Sequence, residues 1–163
     1  MTGDRVNVGI AELRVARAPA VFAALGLGSC VAVILHDPVE AVGGIAHVLL
    51  PSPSVGRARS DSPGRYAPIA VAGLLEGLLG LGAVQRQLTA RLVGGASMFT
   101  ALQPPGTIQM GERNVLAVRE ALHRHRIRLI GELVGGEYGR SLSFDVATGR
   151  VVVTSYEHDR VEL

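Results

Sequence analysis

Leu25-Gly26-Leu27-Gly28-Ser29-Cys30-Val31-Ala32-Val33-Ile34-Leu35 is the stretch that decides how this chain folds. Two glycines two apart allow a tight, left-handed backbone path that a β-carbon resists, and the β-branched apolar run behind them reads as a buried strand. Cys30 therefore stands where a turn enters a strand, and it is the only cysteine in the sequence. The next polar group with useful chemistry is His47, in Gly43-Gly44-Ile45-Ala46-His47-Val48-Leu49-Leu50-Pro51. Asp37-Pro38 between them marks a turn. Strands this close in sequence pair antiparallel, because a parallel crossover needs about a dozen residues or more. Folding back brings His47 toward Cys30, and a thiol beside an imidazole is the minimum equipment of a cysteine hydrolase. By default, a cysteine opening an apolar strand is a small, inert hydrophobe, so the chemistry depends on the two side chains meeting.

Working outward, alternation predicts a strand over residues 6–10 and a second over 12–17. Apolar segments at 21–27, 31–35 and 42–50 follow. Residues 51–67, rich in proline, serine and arginine, read as a long loop that leaves directly from the strand of His47 and is expected to overhang the site. Helices are predicted over 68–81 and over 112–125, the second with Val115, Val118 and Leu122 on one face. Between them a strand at 88–93 ends in Gly94-Gly95-Ala96-Ser97, a loop able to bring backbone amides close to a substrate. A strand at 127–134 and a hairpin of 142–146 with 151–156 complete the chain. His36, His123, His125 and His158 fall on expected turns, helix ends or the tail and read as solvated surface histidines, none with a second ligand at metal-binding spacing. Neither a metal nor a cofactor is expected.

The chain has 163 residues, 48% hydrophobic and 18% charged, with a formal net charge of +2. That is enough for one well-buried core and too little for two ordinary domains. So small a charge gives no case for nucleic acid. All the basic side chains are arginine, whose planar fork suits carboxylates on an acidic protein partner. A single cysteine fits a reducing compartment. The first residues lack the apolar core of a signal peptide, and the uncharged run 18–35 is interrupted by Pro19, Gly26, Gly28 and Ser29. The expectation is a cytoplasmic protein with no membrane insertion. Strands at both ends and two helices in the middle make it α+β: a β-sandwich-like core of mostly antiparallel strands with two main helices packed outside.

Five blocks, taken together and in order, resemble the CheD family of chemoreceptor glutamine deamidases. They are Leu25 to Val33, Asp37-Pro38, Gly43 to Pro51, Gly94-Gly95-Ala96-Ser97-Met98-Phe99, and Gly111-Glu112-Arg113-Asn114. The resemblance implies one CheD-like deamidase domain over 1–163, with Cys30 as nucleophile and His47 as its base. It implies hydrolysis of glutamine side chains on the cytoplasmic helical region of methyl-accepting chemotaxis receptors, giving glutamate and ammonia. Members of the family also bind and stimulate CheC, a phosphatase of the response regulator, so a regulatory protein with little or no catalysis is the alternative. The family usually carries, at the position of Ala24, a threonine taken to orient the histidine. With alanine there, Ser29 or a backbone carbonyl facing His47 must take over the orienting role. Oxyanion donors are expected from the Gly28-Ser29-Cys30 turn, and substrate contact from Gly94, Gly95, Ala96 and Ser97. An imidazolium at His47 would lower the pKa of the Cys30 thiol and make it quick to alkylate.

Overall fold

In the computed structural model, which describes residues 4–53 and 62–163, two five-stranded sheets are stacked and two helices cover the outer face of one of them. The first sheet has the order β1-β3-β8-β9-β10, from β1 (Arg5–Asn7), β3 (Val21–Leu27), β8 (Arg140–Asp145), β9 (Val151–Thr154) and β10 (Val161–Glu162). The second has the order β2-β5-β4-β6-β7, from β2 (Leu13–Arg17), β5 (Val42–Val48), β4 (Val31–Asp37), β6 (Thr89–Gly94) and β7 (Arg128–Val134). The helices are α1 (Ala67–Gly80) and α2 (Met110–Arg124).

The apolar run that opened the reading is continuous because its strand has no solvent side. Every residue of β4 and of β5 is buried. Alternate side chains go to different layers, as the strand period of two requires. Val31, Val33 and Leu35 pack with Leu74, Leu78, Val118 and Leu122 under the helices. Ala32 and Ile34 pack with Phe22, Ala24, Phe144 and Val151 between the sheets. Gly43 and Gly44 keep β5 thin enough for both layers, since a β-carbon at Gly43 would fall 2.7 Å from the Phe144 ring and one at Gly44 2.8 Å from Val15.

The α+β class, the stacked sheets and the two outer helices match the expectation, with β4 and β5 antiparallel as read. Two pairs are parallel, β1 with β3 and β6 with β7, the latter reached through α2. Strands β3 and β4 are not neighbours, because the glycine turn carries the chain from one sheet to the other. Gly26 alone of the two glycines takes a positive φ, 64°, where the β3–β8 register slips. The expected strand over 6–10 stops at Asn7, and residues 8–12 leave the sheet through a turn in which Ala11 has a φ of 68°.

His36 corrects the reading of solvated surface histidines. It lies within β4, 4% exposed, with Nε2 2.8 Å from the Val146 carbonyl oxygen across the two sheets and its ring edge-on to Phe144. The carbonyl can only accept, so Nε2 carries the proton. Burial pushes the pKa of His36 down against the partial support of that carbonyl, and it does the same at His47. His123 and His158 are exposed and His125 is half-buried.

Both buried histidines thus have folded pKa values below their ordinary ~6.5, so in the window just under that value the unfolded chain holds more protons. Their neutral burial is fully compatible with folding above that pH, and stability is lost as pH falls through it. The urea midpoint is expected to drop between pH 8 and pH 5.5, and the drop to shrink in His36→Gln. A midpoint that is flat over this range would contradict the assignment.

Candidate active site

The β4–β5 ladder sets Ala32 opposite His47 and Val31 opposite Val48. Cys30 is two residues before Ala32, so it falls on the same face and diagonal to His47, a relation in which the residues stand roughly 7–8 Å apart. Cys30 is 7% exposed and packs with Ala32, Ile34 and Ile45 in the layer between the sheets. The turn at Asp37 therefore sets Cys30 and His47 on one face of the β4–β5 pair at diagonal positions.

His47 is held by backbone. Its Nδ1 lies 3.1 Å from the Val8 carbonyl oxygen, which can only accept, so Nδ1 carries the proton and Nε2 presents a lone pair. The Val8 amide in turn donates to Ala23 on β3 at 2.7 Å, and residues 11 and 12 bond the His47 main chain on both sides. The orienting group is thus a main-chain carbonyl just beyond β1. Ala24 is fully buried in the inter-sheet layer, paired with Leu142, and Ser29 is half-buried beside the turn. No sequence signal marks Val8, because any residue supplies a carbonyl.

The turn before Cys30 is clamped through three successive carbonyls. Gly28 accepts from the Ala96 amide at 2.8 Å, Ser29 from Asn114 Nδ2 at 2.9 Å, and Cys30 from the Gly95 amide at 2.8 Å. Gly94, with a φ of 115°, has to be glycine because a β-carbon there would lie 2.3 Å from the Cys30 oxygen. Arg140, nearly buried, ties down the far side of this loop through the carbonyls of Gly94 and Gly135. The amides of Gly95, Ala96 and Ser97 were expected to reach toward a substrate. They are instead committed to Cys30, Gly28 and Gly136. Asn114 and Arg140 were missed as site residues; the available signal for Asn114 was a polar residue four before Val118 on the apolar stripe of α2.

A hollow of about 190 Å³ opens beside this turn, lined by Ser29, Ser97, Met98, Phe99 and Met110 among others. Met98 and Phe99 at its rim are 49% and 67% exposed. Of the loop expected to overhang the site, residues 54–61 lie outside the described residues. Its ends are stitched to the strand of His47, with the amides of Leu49 and Leu50 both donating to the Arg65 carbonyl.

Burial pushes the Cys30 thiol up, partly opposed by the residue's own backbone amide. His47 is pushed down by burial, partly opposed by the Val8 carbonyl and the Glu12 carboxylate. Both shifts disfavour the charged forms and so run against the lowering of the thiol by an imidazolium that was expected from sequence.

A family model described as CheD chemotactic sensory transduction matches residues 49–155. The "Probable chemoreceptor glutamine deamidase CheD" of Symbiobacterium thermophilum is 43% identical over 157 residues, which are 96% of this chain and 95% of that one. This chain belongs to the CheD family. The "Chemoreceptor glutamine deamidase CheD" of Thermotoga maritima is 42% identical, over 90% of this chain and 88% of its own. Cys30 and His47 of this CheD family member lie ahead of the segment matched by the family model, whereas the relatives run along nearly the whole chain.

The upward push on the thiol has a measurable consequence. Iodoacetamide is expected to alkylate Cys30 more slowly than free cysteine at pH 7, with a rate that climbs only beyond the ordinary thiol range of ~8.5. Labelling faster than free cysteine at pH 7 would mean that a stabilised thiolate is present.

Proposed function

We propose that this chain is a chemoreceptor glutamine deamidase that works through a Cys30–His47 thioester mechanism. The names of its relatives support the reaction class. The observation that carries the mechanism is the Val8 carbonyl on His47 Nδ1, which leaves Nε2 free as a base on the face that also holds Cys30.

As the Cys30 sulfur attacks the carboxamide carbon, its proton passes to His47 Nε2, so no standing thiolate is required. The C=O bond opens to an oxyanion, and the Cys30 backbone amide on the turn is the nearest donor to it. The oxyanion collapses, the C–N bond breaks, and His47 gives the proton to departing ammonia. A thioester at Cys30 remains. Water then loses a proton to neutral His47 and attacks it, and collapse releases glutamate while the proton returns to sulfur. The exposed Met98 and Phe99 offer apolar ground beside the hollow for the cytoplasmic helical region of a receptor.

The regulatory alternative, binding of a CheC-like phosphatase without turnover, drew its motive from the missing threonine at Ala24. The Val8 carbonyl at His47 Nδ1 supports the enzyme reading instead, because a carbonyl can hold the tautomer without a side chain. Incubation with a receptor cytoplasmic fragment is expected to release ammonia and raise the fragment's mass, and Cys30→Ala to abolish both while keeping the fold. Deamidation that persists in Cys30→Ala would end the reading. Ala24→Thr is expected to change turnover by no more than about threefold, well short of the ~1.4 kcal/mol that a tenfold effect needs. The acid limb of kcat/KM should lie below pH ~6.5, since His47 must be neutral to act and burial keeps it so at lower pH.

A further inference from the structure

Asn114 is an unusual residue for the inner face of a helix. It stands on the buried stripe of α2 with Gly111, Val115, Val118, Ala121 and Leu122, and it is fully buried. Both hydrogens of its amide nitrogen are spent on carbonyls from other parts of the chain, Ser29 at 2.9 Å and Leu49 at 3.0 Å. Its Oδ1 has no partner among the described residues. A leucine would fill such a position without burying an unpaired acceptor, which costs about 1–3 kcal/mol. The helix also sits deep enough for so short a side chain to reach: a β-carbon at Gly111 would come within 2.3 Å of the Ala96 carbonyl oxygen.

The Ser29 carbonyl and the Cys30 amide belong to one peptide group, and in a planar trans peptide the C=O and the N–H point in opposite directions. A pull on the Ser29 oxygen toward α2 therefore turns the Cys30 N–H away from α2. The peptide before it is held the same way, with the Gly28 oxygen bonded to Ala96 and the Ser29 N–H directed oppositely. The Cys30 N–H so turned is the one that the proposed mechanism assigns to the oxyanion.

We propose that Asn114 is a positioning residue for the deamidation, holding the Ser29–Cys30 peptide so that the Cys30 amide is aimed at the oxyanion. Leu49 is its anchor, because the second hydrogen bond keeps the Asn114 amide from following the Ser29 carbonyl if that peptide rotates. The inference rests on the reading of Cys30 as nucleophile, and its test separates the two.

Asn114→Asp keeps the shape and loses both donors, and Asn114→Ala removes the side chain. In either variant that retains a cooperative urea transition, kcat on a receptor cytoplasmic fragment is expected to fall ~10²- to 10³-fold, the usual loss for one oxyanion donor, with KM within about threefold. Alkylation of Cys30 by iodoacetamide should stay within about threefold of the parent, because displacement at a saturated carbon builds no oxyanion. A folded variant that keeps kcat within about threefold of the parent overturns the inference. So does a variant whose alkylation rate falls in step with kcat, since that describes a general loosening of the site. Cys30→Ala run alongside distinguishes the underlying reading: if it still deamidates, the nucleophile is wrong and the role of Asn114 falls with it.

Discussion

Coverage on both faces of β4 and β5 is the constraint on which the rest depends. A strand in that situation has no solvent on either side, so any polar side chain it carries must find its partner inside the protein or cost about 1–3 kcal/mol. Two histidines sit in this pair of strands, and each meets a main-chain carbonyl from the other sheet or its margin: His36 that of Val146, His47 that of Val8. A carbonyl satisfies a neutral imidazole and does less for a charged one than a carboxylate would. The packing that makes the core therefore also favours the neutral form of His47 and sets its tautomer.

The same economy holds around Cys30. The 28–30 turn is held through its carbonyls by a loop amide on each side and by one side chain from α2. That loop is in turn pinned by Arg140 from the other sheet. Elements from both sheets and a helix thus converge on three peptide groups. The glycines at 94 and 111 are there so that backbone can meet backbone at close range, a use different from the flexibility that glycine pairs commonly signal.

Much of this was legible. The strands from 21 to 48, both helices and the antiparallel pairing that puts Cys30 and His47 on one face follow from period, turn residues and strand length, because those are local rules. What escaped the sequence was non-local. The parallel pairing of β1 with β3, the short β10 and the departure of residues 8–12 from the sheet depend on partners far along the chain. His36 was misplaced because the strand ran past Leu35 through the histidine to Asp37, one pleat further than its apolar letters. The Val8 carbonyl left no mark at all in the sequence. An imidazolium beside Cys30 would lower the thiol, but at these two positions burial is the largest influence and pushes the thiol up and the imidazole down.

That burial also bears on chemical durability. Peroxide and electrophilic metabolites attack thiolates, and the first step of cysteine oxidation follows thiolate character and exposure. Cys30 has little of either at rest. With no second cysteine in the sequence, a sulfenic acid at Cys30 has no thiol of this chain with which to form a disulfide. A thiol held protonated by burial resists oxidation and alkylation, and any chemistry that used it would first have to remove the proton.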